Sequence, residues 1–231
     1  MNRICRAAPP FRRWALAVQG ATALAAAMLA VSGCAGGGGA VDAPVRPSSS
    51  AAQAIHPAPS PEEMESAAAA RSSAIGKPAP DFSLSDQQDR ATTLSGQRGS
   101  WVVLYFYPAD DTPGCTCQAT EFTGLLQAFT QHNAKVFGVS PDAPEIHRYF
   151  IRKYGLQINL LSDPGMEVMR RYGAFVDIPE GPAAPGRIVR STYLIDPNGV
   201  IAAHWPEVIP QGHAERVVRR LAELAPARAG G

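Results

Sequence analysis

Residues 101–117 read WVVLYFYPADDTPGCTC, and the fold turns on the change of character halfway along that stretch. Its first seven residues form an unbroken run of β-branched, aliphatic and aromatic side chains. A strand with one wet face alternates polar and apolar positions. A run apolar at every position predicts a strand buried on both faces, in the middle of a sheet covered by helices. Pro108 ends the run, and Pro113-Gly114 opens a helix predicted over residues 113–133, with Phe122, Leu125, Leu126 and Phe129 on one face. Cys115 therefore falls where a central strand hands over to a helix N-terminus, the place where open α/β sheets receive ligands.

A thiol at that place meets unpaired backbone N–H groups and the positive end of the helix dipole, and both favour the nucleophilic thiolate. Pro108 and Pro113 stiffen the approach, and Gly114 lets the backbone come close to a ligand. Thr112, three residues ahead of the cysteine, can place a hydroxyl against the same site. Taken singly, each has a plainer reading: a small core thiol, a turn residue, a rigid loop. The helix-start context raises Cys115 above the first of these.

Outward from this stretch, strand and helix signals alternate. Residues 135–140 read as the next strand and residues 142–154 as a helix capped by Asp142, with Glu145 three residues on and Gly155 as its stop. A short strand at 159–161 and a short helix at 167–172 follow. Strands at 188–196 and 200–205 flank Pro197-Asn198-Gly199, a hairpin turn. Residues 81–84 and 92–95 read as short edge strands, and a closing helix at 212–224 buries Val217, Val218, Leu221 and Leu224. This order predicts one α/β domain over residues 74–228, a central mixed sheet flanked by helices with the order and length of a thioredoxin-like fold.

The first 34 residues read as an address. Four arginines and no acidic residue precede or enter an uncharged apolar run at 14–33, the order of an export signal. The run ends at Val31-Ser32-Gly33-Cys34, which resembles the lipobox of bacterial lipoproteins. The resemblance implies cleavage before Cys34, lipidation of its sulfur and a membrane anchor for everything after it. With Ala35 in second place, it further implies the outer membrane of a Gram-negative cell. An uncleaved span is the alternative, since about 20 apolar residues cross a bilayer. Both place the domain outside the cytoplasm. Cys5 lies in the removed part. Of residues 35–73, 27 of 39 are Ala, Gly, Pro or Ser, so residues 34–73 read as a flexible tether, interrupted at most by a short helix starting at Ser60-Pro61.

Composition excludes several classes. The chain of 231 residues is 45% hydrophobic, enough to bury a core, and its net charge of +1 becomes −3 once the four leader arginines are set aside. No basic surface for nucleic acid is expected. Cys5, Cys34, Cys115 and Cys117 form neither a disulfide framework nor a zinc pattern, and the five histidines (56, 132, 147, 204, 213) show no ligand spacing. No metal and no cofactor is expected.

The pattern Pro108-x-x-x-Thr112-x-x-Cys115 resembles the active-site motif of peroxiredoxins, and TPGCT at 112–116 is similar to their Q-type, or bacterioferritin comigratory protein, branch. KVFGVSPD at 135–142, LLSDP at 160–164, RSTYLID at 190–196 and PQGH at 210–213 extend the resemblance over roughly residues 74–225. The resemblance implies a thiol-dependent peroxidase of the alkyl hydroperoxide reductase/thiol-specific antioxidant superfamily. Its Cys115 would attack a hydroperoxide and become a sulfenic acid. Arg190, rather than its rival Arg187, would stand by the thiolate. Thr112 and the Cys115 N–H would cradle the peroxide oxygens, and Pro108 would shield the site. His213 is expected to cap or pack at the start of the last helix. The reductant would be a small thiol or a thioredoxin-like protein, and the chain a monomer or small homodimer.

One position departs from the pattern. Many Q-type proteins carry a resolving cysteine five residues after the first; here that position is Thr120, and Cys117 lies only two residues on. Side chains at i and i+2 of a helix point to nearly opposite sides, so a Cys115–Cys117 bond needs the first turn to unwind. Either Cys117 is a bystander and an external thiol completes the cycle, or local unfolding makes it the resolving cysteine. Two other classes predict different spacings: Trp-Cys-x-x-Cys for a thiol:disulfide oxidoreductase, Cys-x-x-x-Cys for a copper-carrying thioredoxin-fold protein. Cys115-Thr116-Cys117 has neither.

Overall fold

The apolar run at 101–107 is central because every one of its side chains has an apolar layer to enter. The computed structural model describes Ser60, residues 72–176 and residues 186–225, all within one compact unit. In chain order the elements are β1 (Ser83–Asp86), β2 (Ala91–Thr93), β3 (Trp101–Phe106), α1 (Pro113–Gly124), α2 (Leu126–Gln131), β4 (Ala134–Ser140) and α3 (Pro144–Tyr154). Then come β5 (Asn159–Ser162), α4 (Glu167–Arg171), β6 (Phe175–Val176), β7 (Arg187–Ile188), β8 (Ser191–Ile195), β9 (Ile201–Trp205) and α5 (His213–Leu224). Seven strands form one mixed sheet in the order β2-β1-β5-β4-β3-β8-β9, and β6 pairs with β7 apart from it. Strands β3, β4 and β5 are parallel neighbours, while β8 and β9 continue the sheet antiparallel.

Strand β3 divides its side chains between two cores. Val103, Tyr105 and Tyr107 pack with Phe122 of α1, Phe129 of α2, Phe150 of α3 and Val217 and Leu221 of α5. Val102, Leu104 and Phe106 pack on the other side with Val168 and Met169 of α4, Phe82 and Leu94. The sheet thus carries helices on both faces, the α/β architecture expected.

Four local expectations are corrected. The helix expected at 113–133 is two helices, because Gly124 ends α1 and Leu125 leaves helical geometry (φ −105°, ψ 9°) before α2 begins. Asp142 does not cap α3. Ala143 is the N-cap and Pro144 opens the helix; Oδ2 of the Asp142 carboxylate instead accepts the Asp110 N–H and the Ser140 hydroxyl, each at 2.8 Å. The strand expected at 188–196 is split at Val189–Arg190: Val189 N–H donates to the Ala174 carbonyl (2.7 Å), which draws the chain before it toward β6. Of the two short N-terminal strands only β2 is an edge, since β1 also pairs with β5.

The other turns and caps form as read. Gly155 ends α3 at φ +64°. In the β8–β9 hairpin, Asp196 Oδ1 accepts the N–H groups of Asn198 and Val200, with Gly199 at φ +79°. Val217 and Leu221 of α5 are buried, while Val218 and Leu224 are half-buried against the same core. The leader at 1–33, Cys34, nearly all of the tether and the helix start beyond Ser60 lie outside the described residues. Among the described residues no helix is long and apolar enough to cross a membrane.

Candidate active site

Strand register explains why two residues 75 apart in sequence meet. Phe106 at the end of β3 pairs with Ser191 at the start of β8. The residue before β8, Arg190, therefore stands beside the loop that leads from β3 into α1. Its guanidinium forks across one turn of that helix: Nη2 donates to Cys115 Sγ at 3.2 Å and Nη1 to Gln118 Oε1 at 2.7 Å. Cys115 is the third residue of α1, 2% exposed and part of the core cluster under β3. Gln118 is fully buried, so the fork is fixed at both tines. Arg187, the rival cation, is exposed in β7.

The other expected residues stand differently. Thr112 is the N-cap of α1 by backbone, but its hydroxyl makes no cap bond and donates instead to Ala109 O at 3.3 Å. Its carbonyl accepts the Thr116 N–H (2.8 Å), the first bond of the helix. Thr112 and Pro108 are both exposed. Cys117 is buried and, like Cys115, is not in a disulfide. Its Sγ lies 3.7 Å from Glu121 Oε1. Thr120 turns its hydroxyl back to the carbonyls of Thr116 (2.8 Å) and Cys117 (2.9 Å). His213 packs rather than caps: it is buried edge-on to Trp205 and Phe122, with Nε2 2.9 Å from Thr192 Oγ1.

A wall and a buried brace complete the site. Segment 208–212 is held by Val208 N–H to Arg190 O (2.9 Å) and by Arg216 to the carbonyls of Ile209 (3.0 Å) and Gln211 (3.1 Å). A Cβ on Gly114 would stand 3.5 Å from both Arg190 Nη2 and Pro210 Cγ, ordinary contact distance, so Gly114 sits at the helix start between the arginine and that wall. On the far side, Asp110 is gripped by Tyr107 OH and His147 Nδ1, both at 2.7 Å. Asp111, at φ +59°, pairs with Lys153 (2.5 Å) and Tyr154 (2.6 Å). Helix α3 thus anchors the loop from which α1 starts. Burial, and then the electrostatic influence of Asp110 and Cys115, push the Tyr105 phenol well above its ordinary range, while Arg190 opposes the shift. Tyr107 is raised chiefly by the same burial. Both phenols are therefore neutral near Cys115.

Gln118, Glu121 and the Asp110–His147 pair carry no motif of their own in the sequence. Pro210 lies in the PQGH segment, which extends the family resemblance without indicating that it borders the site. Among the described residues, no group of three His, Cys, Asp or Glu side chains is placed to hold a metal ion.

The sequence signature of the AhpC/TSA family matches residues 75–204. A Coxiella burnetii protein assigned as the peroxiredoxin bcp is 40% identical over 147 residues, covering 64% of this chain and 97% of that one. The chloroplastic peroxiredoxin Q of Sedum lineare is 39% identical over 150 residues, 64% of this chain and 78% of that one. The solved structure of the bacterioferritin comigratory protein of Xanthomonas campestris superposes with a TM-score of 0.60 at 35% identity, covering 62% of this chain and 92% of that one. The chain belongs to the AhpC/TSA family, in its Q-type peroxiredoxin branch. It has the thioredoxin-like fold of these relatives, and its activity is that of a thiol-dependent peroxidase.

Proposed function

We propose that the chain reduces hydrogen peroxide and organic hydroperoxides at Cys115, using an external thiol or thioredoxin-like reductant, as an extracytoplasmic protein held to a membrane by lipid on Cys34. The observation that carries the chemistry is the Arg190 fork, which puts a fixed cation 3.2 Å from Cys115 Sγ at the start of a twelve-residue helix. A cation and a helix N-terminus both stabilise the thiolate. The thiolate attacks the outer peroxide oxygen; the O–O bond breaks, water or an alcohol leaves after taking a proton, and Cys115 becomes a sulfenic acid. Arg190 and the N–H groups at the helix start face the charge that develops on the oxygens. A first external thiol displaces the hydroxyl as water and forms a mixed disulfide, and a second thiol releases Cys115.

Thr112 belongs to this site through its position. Turning its hydroxyl from Ala109 O would aim it at a bound peroxide, and exposed Pro108 would then border the same mouth. The Xanthomonas campestris relative, described by its alkyl peroxide reduction activity, supports the organic substrates. The Val31-Ser32-Gly33-Cys34 signal supports the anchor. The test is peroxide consumption by the chain with dithiothreitol. Turnover by the wild type and its loss in Cys115→Ser are expected; turnover surviving in Cys115→Ser would overturn the assignment.

A further inference from the structure

We propose that Glu121 keeps Cys117 out of the catalytic cycle, holding it as a protonated thiol in an intact helical turn while the sulfenic acid on Cys115 awaits an external thiol. The inference rests on Cys115 being the residue that peroxide oxidises. Glu121 stands one turn beyond Cys117 on α1, and its Oε1 lies 3.7 Å from Cys117 Sγ, so the S–H donates to the carboxylate. The same oxygen accepts the N–H of Gly212 at 2.9 Å. Gly212 is the N-cap of α5 in the left-handed conformation, φ +69°, and the positive end of the α5 dipole reinforces that bond. The second oxygen, Oε2, is buried and has no hydrogen-bond partner among the described residues.

Two effects follow from this geometry. A thiolate on Cys117 would form against an anion in a poorly solvated place, so the thiol is favoured. Unwinding of α1 around Cys115 and Cys117 would also have to break the Cys117–Glu121 contact, whose acceptor oxygen the Gly212 N–H holds in place, and the two bonds from the Thr120 hydroxyl. The step held back is attack of Cys117 sulfur on Cys115 sulfenic acid. It forms the S–S bond, breaks the S–O bond and releases water made from the hydroxyl and the thiol proton.

Replacing Glu121 separates the two effects. Glu121→Gln keeps an acceptor for the Gly212 N–H and removes the charge; Glu121→Ala removes both. The full chain is treated with one equivalent of hydrogen peroxide without reductant, and the peptide holding both cysteines is followed by mass spectrometry with dimedone trapping. In the wild type, the dimedone adduct on Cys115 is expected to dominate over the Cys115–Cys117 disulfide. Disulfide formation rises about tenfold in Glu121→Gln, as the thiolate fraction grows, and further in Glu121→Ala. Amide exchange in β3 and β4 stays at the wild-type rate in Glu121→Gln. Equal disulfide rates in all three proteins overturn the proposal, as does a rise matched by faster exchange in β3 and β4. If no adduct and no disulfide forms at Cys115 in the wild type, the assignment of Cys115 fails and this inference falls with it.

Discussion

Arg190 serves two partners with one guanidinium, and substitutions can tell the two services apart. Arg190→Lys keeps a charge near Cys115 but cannot hold both Sγ and Gln118 Oε1 in one plane. Arg190→Gln removes the charge as well. Loss of one donor aimed at developing charge costs about 10²-fold or more in rate, so the rate of Cys115 oxidation in Arg190→Gln is expected to fall by that order. Arg190→Lys should recover only part of it. Competition with a fluorogenic peroxide probe measures this, and a wild-type rate in Arg190→Gln would remove the arginine from the mechanism. A second residue sets an acid limit on stability. His204 stacks on Tyr193, ring centroids 4.0 Å apart, and burial lowers it from 6.5 to about 4. The folded protein therefore keeps it neutral while the unfolded chain takes up a proton. Stability from this source is complete above pH 6.5 and lost progressively toward pH 4. Thermal midpoints over that range should fall more steeply for the wild type than for His204→Gln, and equal slopes would count against the assignment.

At the scale of elements, the join between β3 and β4 controls the floor of the site. A Cβ on Gly138 of β4 would come within 2.5 Å of Tyr105 Cζ and OH and 2.9 Å of Leu160 Cδ2. Overpacking of this kind costs about 1–3 kcal/mol, so Gly138→Ala is expected to lower unfolding stability by that order in urea titration. Tyr105, displaced toward Cys115, should slow peroxide reduction as well. An unchanged urea midpoint would show that the ring has room to move. The β3 run could be read from sequence because burial on both faces leaves an uninterrupted apolar mark. The Gly155 stop and the Pro197-Asn198-Gly199 turn could be read because their conformations are local. The break at Leu125 and the corner at Arg190 could not. The first depends on how two helices share one core, the second on a carbonyl of Ala174 far away in sequence. The same limit applies to the site. Cys115 announced itself by its Pro-Gly approach, and Arg190 only through its motif. Gln118 and Glu121 owe their roles to contacts across 72 and 91 residues, which no local pattern encodes.

For the whole molecule, the domain and the proposed address are separate parts of the sequence, and the address can be tested on the full chain. The domain holds the thiol and its cation within residues 113–190, whereas the anchor reading rests on residues 1–34, chiefly on Cys34 at the end of the apolar run. If Cys34 receives lipid, a Gram-negative host expressing the wild type should incorporate labelled fatty acid into the protein and retain it in the membrane fraction until detergent is added. Cys34→Ser should lose the label, because its hydroxyl cannot form the thioether. It should also keep its leader and run as a larger species, since cleavage follows lipidation. Purified in detergent, Cys34→Ser should reduce peroxide at the wild-type rate, because the lipid sulfur takes no part in the chemistry at Cys115. An unlabelled wild type that stays in the membrane with residues 1–33 attached would instead assign the run at 14–33 as a span of about 20 residues. Under the proposed localisation, either outcome would leave the thiol on the same side of the membrane. Under the proposed anchor, the reductant would be a thiol or thioredoxin-like protein of that compartment, and the cycle of Cys115 would be coupled to whatever supplies electrons there.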